Sequence, residues 1–113
     1  MRDDIKINDK AEPIEESLLD VLETVMDPEI ELDIYNLGLI YEINLENNGN
    51  LHIIMTFTGM DCTCIGSVSN DLKTKLPKLN EINDVSVDIV WSPAWNMTRI
   101  SRIGRMTLGI SPR

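Results

Sequence analysis

The chain has 113 residues, 42% of them apolar, which is enough for one domain with a modest core and too apolar for wholesale disorder. Its net charge is −9, with 14 acids against 3 bases in residues 1–50 and 5 acids against 7 bases in residues 51–113. An acidic chain repels nucleic acid and anionic lipid, no apolar run is long enough to span a bilayer, and residues 1–10 hold no apolar block of the secretory kind, so the expected compartment is the cytosol.

Residues 1–11 are polar, without a period, and are expected as a flexible N-terminal arm, leaving one domain over residues 12–113. Pro13 suits the first turn of a helix. Ile14, Leu18, Val21, Leu22 and Val25 then recur at helical spacing, and Asp27-Pro28 predicts the end of that helix. An acidic loop follows, closing on Asn36-Leu37-Gly38. Leu39, Tyr41, Ile43 and Leu45 alternate, as a strand with one buried face requires. Glu46-Asn47-Asn48-Gly49-Asn50 is a hairpin turn, and the return strand runs through Leu51, Ile53, Met55 and Phe57. His52, Thr56 and Thr58 fall on its other face.

Ile65, Val68, Leu72 and Leu76 predict a second amphipathic helix, with Pro77 near its end. Val85, Val87, Ile89 and Trp91 form a third alternating strand, broken at Ser92-Pro93-Ala94-Trp95. Ile100, Ile103 and Met106 outline a short helix over residues 98–108, which Gly104 weakens. The order helix, strand, strand, helix, strand, helix predicts an α+β fold, a two-layer sandwich with helices on one face of a small mixed sheet.

Both cysteines lie at Asp61-Cys62-Thr63-Cys64, where the second strand gives way to the second helix. Backbone N–H groups at such a turn stabilise negative charge, and so favour the thiolate that attacks electrophiles and binds soft metals. Metal or cluster ligation, thiol transfer and redox sensing are the functional readings; two small buried fillers are the alternative. A disulfide between them would be strained. A Cys-x-Cys pair lacks the second half of a four-ligand site, so a second chain or a partner would have to complete it, and a homodimer is expected.

His52 is the only histidine. It would lie roughly 30 Å from Cys62 along a fully extended segment, and reads as a surface residue rather than a base for the thiol. Asp27, Glu29, Glu31 and Asp33 bunch in the acidic loop. They could do acid–base work, hold a hard cation, or cap the loop and its helices; they do not match a calcium-loop spacing. Of the two tryptophans, Trp91 is expected in the core and Trp95 nearer the surface as an interaction residue.

Asp27-Pro28-Glu29, Asp33-Ile34 and Asn36-Leu37-Gly38-Leu39-Ile40-Tyr41 together resemble the opening of the SufT/PaaD-like family of metal–sulfur cluster biosynthesis proteins. The turn from Thr56-Phe57-Thr58 to Cys62 resembles that family's reactive-cysteine turn. Trp91-Ser92-Pro93-Ala94-Trp95 with Ser101, Arg105 and Leu108-Gly109-Ile110 resembles its closing motif. Thr63 follows the cysteine where the family usually has proline.

The resemblance implies a compact α+β fold and a non-enzymatic accessory role in maturing iron–sulfur proteins. Cys62 would be the functional thiol and a metal ligand, Cys64 a second thiol, and Asp27, Glu29 and Asp33 an acidic loop beside Cys62. It also implies a transient iron–sulfur cluster or iron, not tightly held by one chain. The implied partners are iron–sulfur assembly proteins and client apoproteins. A second branch of the family implies an alternative, a non-catalytic interaction subunit of a phenylacetate-degrading multicomponent oxygenase.

Overall fold

The computed structural model describes residues 5–27, 32–57, 64–92, 95–96 and 99–109, with Cys64 and Leu108 described by backbone alone. The element order is β1 (Lys6–Ile7), α1 (Glu15–Leu22), β2 (Met26–Asp27), β3 (Leu32–Asp33), α2 (Ile34–Leu37), β4 (Ile40–Leu45), β5 (Asn50–Met55), α3 (Cys64–Lys75), β6 (Asp84–Ile89) and α4 (Arg102–Leu108). Single 3-10 turns at Glu12–Ile14 and Leu76–Lys78 hold Pro13 and Pro77.

The main sheet runs β1-β4-β5-β6. The β4–β5 hairpin is antiparallel, while β1 on β4 and β6 on β5 are parallel. Parallel pairing of β5 and β6 needs a crossover, and α3 supplies it. Ile43, Leu45, Leu51, Ile53, Met55 and Val85 point into one core with Leu18 and Leu22 of α1 and Val68 and Leu72 of α3. The helices therefore cover one face, as the α+β two-layer reading predicts. The other face carries Glu42, Asn44, His52, Ser86 and Asp88, at the alternate positions of each strand.

Four expectations are corrected. From residue 5 onward the expected arm is the edge of the sheet: Lys6 and Ile7 pair with Glu42 and Ile43, and Ile5 and Ala11 are buried. Asn8 fastens this segment, donating from Nδ2 to Leu45 O (3.0 Å) and accepting from Leu45 N at Oδ1 (3.1 Å). Its polar sequence hides the role because the pairing uses backbone and an asparagine amide rather than an apolar stripe.

The first helix stops at Leu22, before Asp27, because Met26 and Asp27 leave it to pair with Asp33 and Leu32. The β4 alternation breaks at a register shift between Ile40 and Glu42, which buries Ile40 and leaves Tyr41 half-buried. In α4, Ile103 (70% exposed) and Met106 (63% exposed) face outward. The packed side of α4 is instead marked by Gly104: a Cβ there would stand 2.9 Å from Leu32 Cδ2. The residue that weakens the helix in isolation is the one that lets it approach β3.

Candidate functional site

The end of β5 leads into the cysteine turn. Thr56 N donates to Leu39 O at 2.8 Å, which carries sheet pairing one residue past Met55, and Phe57 is buried. The backbone is described again at Cys64, the first residue of α3. Cys62 and Glu29 lie outside the described residues, as does the side chain of Cys64. The chain on either side of Cys62 is a strand ending and a helix beginning, the order that the thiol's chemistry calls for. Thr56 is fully buried, and its Oγ1 has no hydrogen-bond partner among the described residues. Sequence alternation sets Thr56 on the outer face; burial at the point where the strand ends overrides it.

Of the acidic residues, Asp27 is wholly buried on β2, which packs against α3. Asp33 is the N-cap of α2: Oδ2 accepts from Asn36 N and Oδ1 from Asn36 Nδ2, both at 2.9 Å. Asp27 pairs with Leu32, and Asp33 with Met26, across the β2–β3 hairpin. Cross-strand partners share a face and neighbours along a strand do not, so the two carboxylates point to opposite sides. The structure does not bring them to one point, and Asp33 performs the capping role that is one of its two sequence readings. Among the described residues no group of three or more His, Cys, Asp or Glu is placed to hold a metal ion.

The closing stretch, far away in sequence, folds back onto the opening motif. Trp95 Nε1 donates to Leu37 O (2.7 Å). Arg99 Nε donates to Gly38 O (2.7 Å), and its guanidinium lies 4.4 Å from the centroid of the Tyr41 ring. Ser101 N donates to Asn36 O (2.8 Å), and Ser101 Oγ meets Asn36 Oδ1 at 2.6 Å. Ser101 Oγ also accepts from Gly104 N (3.0 Å), so one hydroxyl caps α4 and ties it to α2. Gly38 has φ +76°, and Arg99 O would lie 2.4 Å from any Cβ there. Only glycine fits this contact. The two motifs thus form one structural unit at the start of β4.

The tryptophan expectation is reversed. Trp91 is 39% exposed, while Trp95 is half-buried against the core. Strand β6 ends at Ile89, so the alternation that would turn Trp91 inward stops before it. Arg99 is a residue that sequence reasoning missed; no local feature marks it, because its partners are carbonyls about sixty residues upstream. His52 Nε2 lies 2.6 Å from Asp88 Oδ2 on the outer sheet face. No described helix is long and apolar enough to cross a membrane.

Comparison with known proteins agrees with the fold. The chain is 39% identical to the Fe-S protein maturation auxiliary factor YitW of Bacillus subtilis over 88% of its length and 97% of the relative's. It is 41% identical to the Fe-S protein maturation auxiliary factor SufT of Staphylococcus aureus, over 77% of this chain and 99% of that one. The crystal structure of a domain of unknown function from Bacillus anthracis superposes with a TM-score of 0.74 at 39% identity, covering 88% of this chain and 95% of that one. The family model described as iron–sulfur cluster assembly protein matches residues 15–89, from α1 through the cysteine turn to the end of β6, and the chain belongs to that family.

Proposed function

We propose that this chain is an accessory factor in the maturation of iron–sulfur proteins, with Cys62 as its functional thiol. The observation that supports it is the presence of Cys62 inside the family match, at a junction flanked by β5 and α3. The N–H groups of the first turn of α3 favour a thiolate, and Asp61 opposes it through like charge. Metal coordination deprotonates a thiol against such opposition. The thiol is therefore suited to engaging iron or a cluster as cargo more than to unaided nucleophilic attack.

Cys62 and Cys64 together supply two of the four thiolates that hold an ordinary cluster. The shell has to be completed by a client apoprotein, an assembly protein or a second chain, which makes holding transient and transfer easy. In this reading the protein catalyses no bond rearrangement of its own, works in the cytosol, and presents Cys62 to its partners, while Asp27, buried on β2, and Asp33, capping α2, serve the fold. Trp91, the exposed tryptophan, is proposed as part of the contact surface in place of Trp95. The two curated relatives described above are named maturation factors, which leaves the oxygenase-subunit alternative without support.

Anaerobic reconstitution with iron and sulfide tests the reading. Wild type is expected to take up iron and pass it to an apoprotein acceptor, and Cys62→Ser to lose both properties while keeping its fold. Equal, negligible loading in both would remove the thiol from ligation.

A further inference from the structure

The two edges of the main sheet differ in kind. The β1 edge has two residues, one of them a lysine, which is a common way of blunting an edge. The β6 edge is a six-residue strand, Asp84-Val85-Ser86-Val87-Asp88-Ile89, with no proline, glycine or lysine, and it ends the strand order. Its inner side is incompletely sealed: Val85 is buried, but Val87 and Ile89 are only half-buried, and Trp91 beyond them is exposed.

The backbone polarity of β6 can be read from its bonds. Asp84 N donates to Gly49 O and Val90 N to Met55 O, so the even-numbered residues turn their N–H and C=O groups toward β5. The odd-numbered residues Val85, Val87 and Ile89 turn theirs outward, since these groups alternate along a strand. The N–H of Val85 is met there by its neighbour's carboxylate, Asp84 Oδ1, at 2.9 Å.

We propose that β6 is the interface of a homodimer, two copies pairing antiparallel along this edge with Val87 opposite Val87, Val85 opposite Ile89 and Ser86 opposite Asp88. Three arguments select this occupant and this register. A two-fold axis normal to the sheet keeps cross-strand partners on one face, so Val85, Val87 and Ile89 of each copy extend the partner's core. All three outward-facing residues then exchange both backbone bonds with the partner, after Asp84 releases Val85 N. Of the two neighbouring registers that also preserve the faces, one sets Asp84 opposite Asp88 twice and the other sets Asp88 opposite Asp88, and directly opposed like charges are destabilising.

Strand β6 carries two acids, Asp84 and Asp88, and no base, and in this register neither stands opposite an acid of the partner.

The dimer has a consequence for the thiols. Met55 is level with Ile89, so the ends of the two β5 strands at Phe57 stand about 30 Å apart, on opposite sides of the axis. Such a dimer sets the two strand ends that lead to the cysteines well apart, which favours each copy serving its own client over the two copies sharing one cluster.

Sedimentation equilibrium under reducing conditions, from micromolar to several hundred micromolar protein, tests the interface without reference to the thiols. Wild type is expected to dimerise with concentration. Ser86→Asp, an exposed position facing Asp88 of the partner in two symmetric pairs, is expected to raise the dimer Kd about tenfold, and Ser86→Lys to lower it. Val87→Pro removes an N–H that β5 does not use, and is expected to leave a folded monomer. A wild type that is monomeric throughout, or a dimer whose Kd is the same in Ser86→Asp and Ser86→Lys, overturns the proposal. Iron loading plays no part in this readout, so its failure and the failure of the maturation reading are distinguishable.

Discussion

Arg99 closes over Gly38 from both sides of its own backbone. Its Nε donates to Gly38 O at 2.7 Å, and its carbonyl oxygen lies 2.4 Å from where a Cβ on residue 38 would sit. Sixty residues of chain are brought back to one glycine, and the contact joins the C-terminal stretch to the start of β4.

A methyl group at position 38 is therefore expected to cost stability twice, through the left-handed φ of +76° and through collision with backbone that cannot swing aside. Gly38→Ala should lose about 3 kcal/mol or more in urea unfolding. Gly109 has the same φ with nothing within 4 Å, so Gly109→Ala should lose only about 1–2 kcal/mol. Equal losses at the two positions would show that the Arg99 contact is unimportant.

Asp33 and Ser101 act on the same amide, that of Asn36. Asp33→Ala removes the cap of α2 and should cost about 1–2 kcal/mol. Ser101→Ala removes the cap of α4 and the tie to α2, at a similar cost. Because Asn36 mediates both, the double variant is expected to depart from additivity by about 1 kcal/mol. Additivity within about 0.3 kcal/mol would mean the two caps are independent.

The tryptophans report their surroundings separately. With Trp95→Phe, the remaining emission comes from the exposed Trp91 and should be readily quenched by acrylamide. With Trp91→Phe, the remaining Trp95 is half-buried and bonded to Leu37 O, and should be shielded and blue-shifted. Indistinguishable quenching constants would contradict the exposures described here.

For the cysteine turn, alkylation followed by peptide mass analysis is expected to modify Cys62 first. Cys62→Ser should keep the wild-type melting temperature but fail to support maturation of an apoprotein acceptor. A Cys62→Ser protein with full maturation activity, alongside an inactive Cys64→Ser, would transfer the role to Cys64.

Much of the fold can be read along the chain, for a local reason. The β4–β5 hairpin follows from the Asn48-Gly49 turn and the alternation of Leu51, Ile53 and Met55; α3 follows from Val68, Leu72 and Leu76. The position of Cys62, between a strand and a helix, is fixed by those same periods. The role of Asp33 is half-readable, since an aspartate before a short apolar stretch is a capping pattern, but its fork onto Asn36 appears only in three dimensions.

Composition and period by themselves determined the α+β class, the hairpin, the crossover helix and the location of the thiols, because each depends on residues within one turn or one strand of one another. Tertiary structure alone decided that residues 5–8 edge the sheet, that Asp27 and Asp33 face apart, that Trp91 is exposed and Trp95 is covered, and that Ile103 and Met106 face solvent. Those outcomes rest on backbone carbonyls meeting side chains many residues distant, as Leu37 meets Trp95 and Gly38 meets Arg99. A carbonyl is the same in every residue, so such partners leave no mark in the order of amino acids.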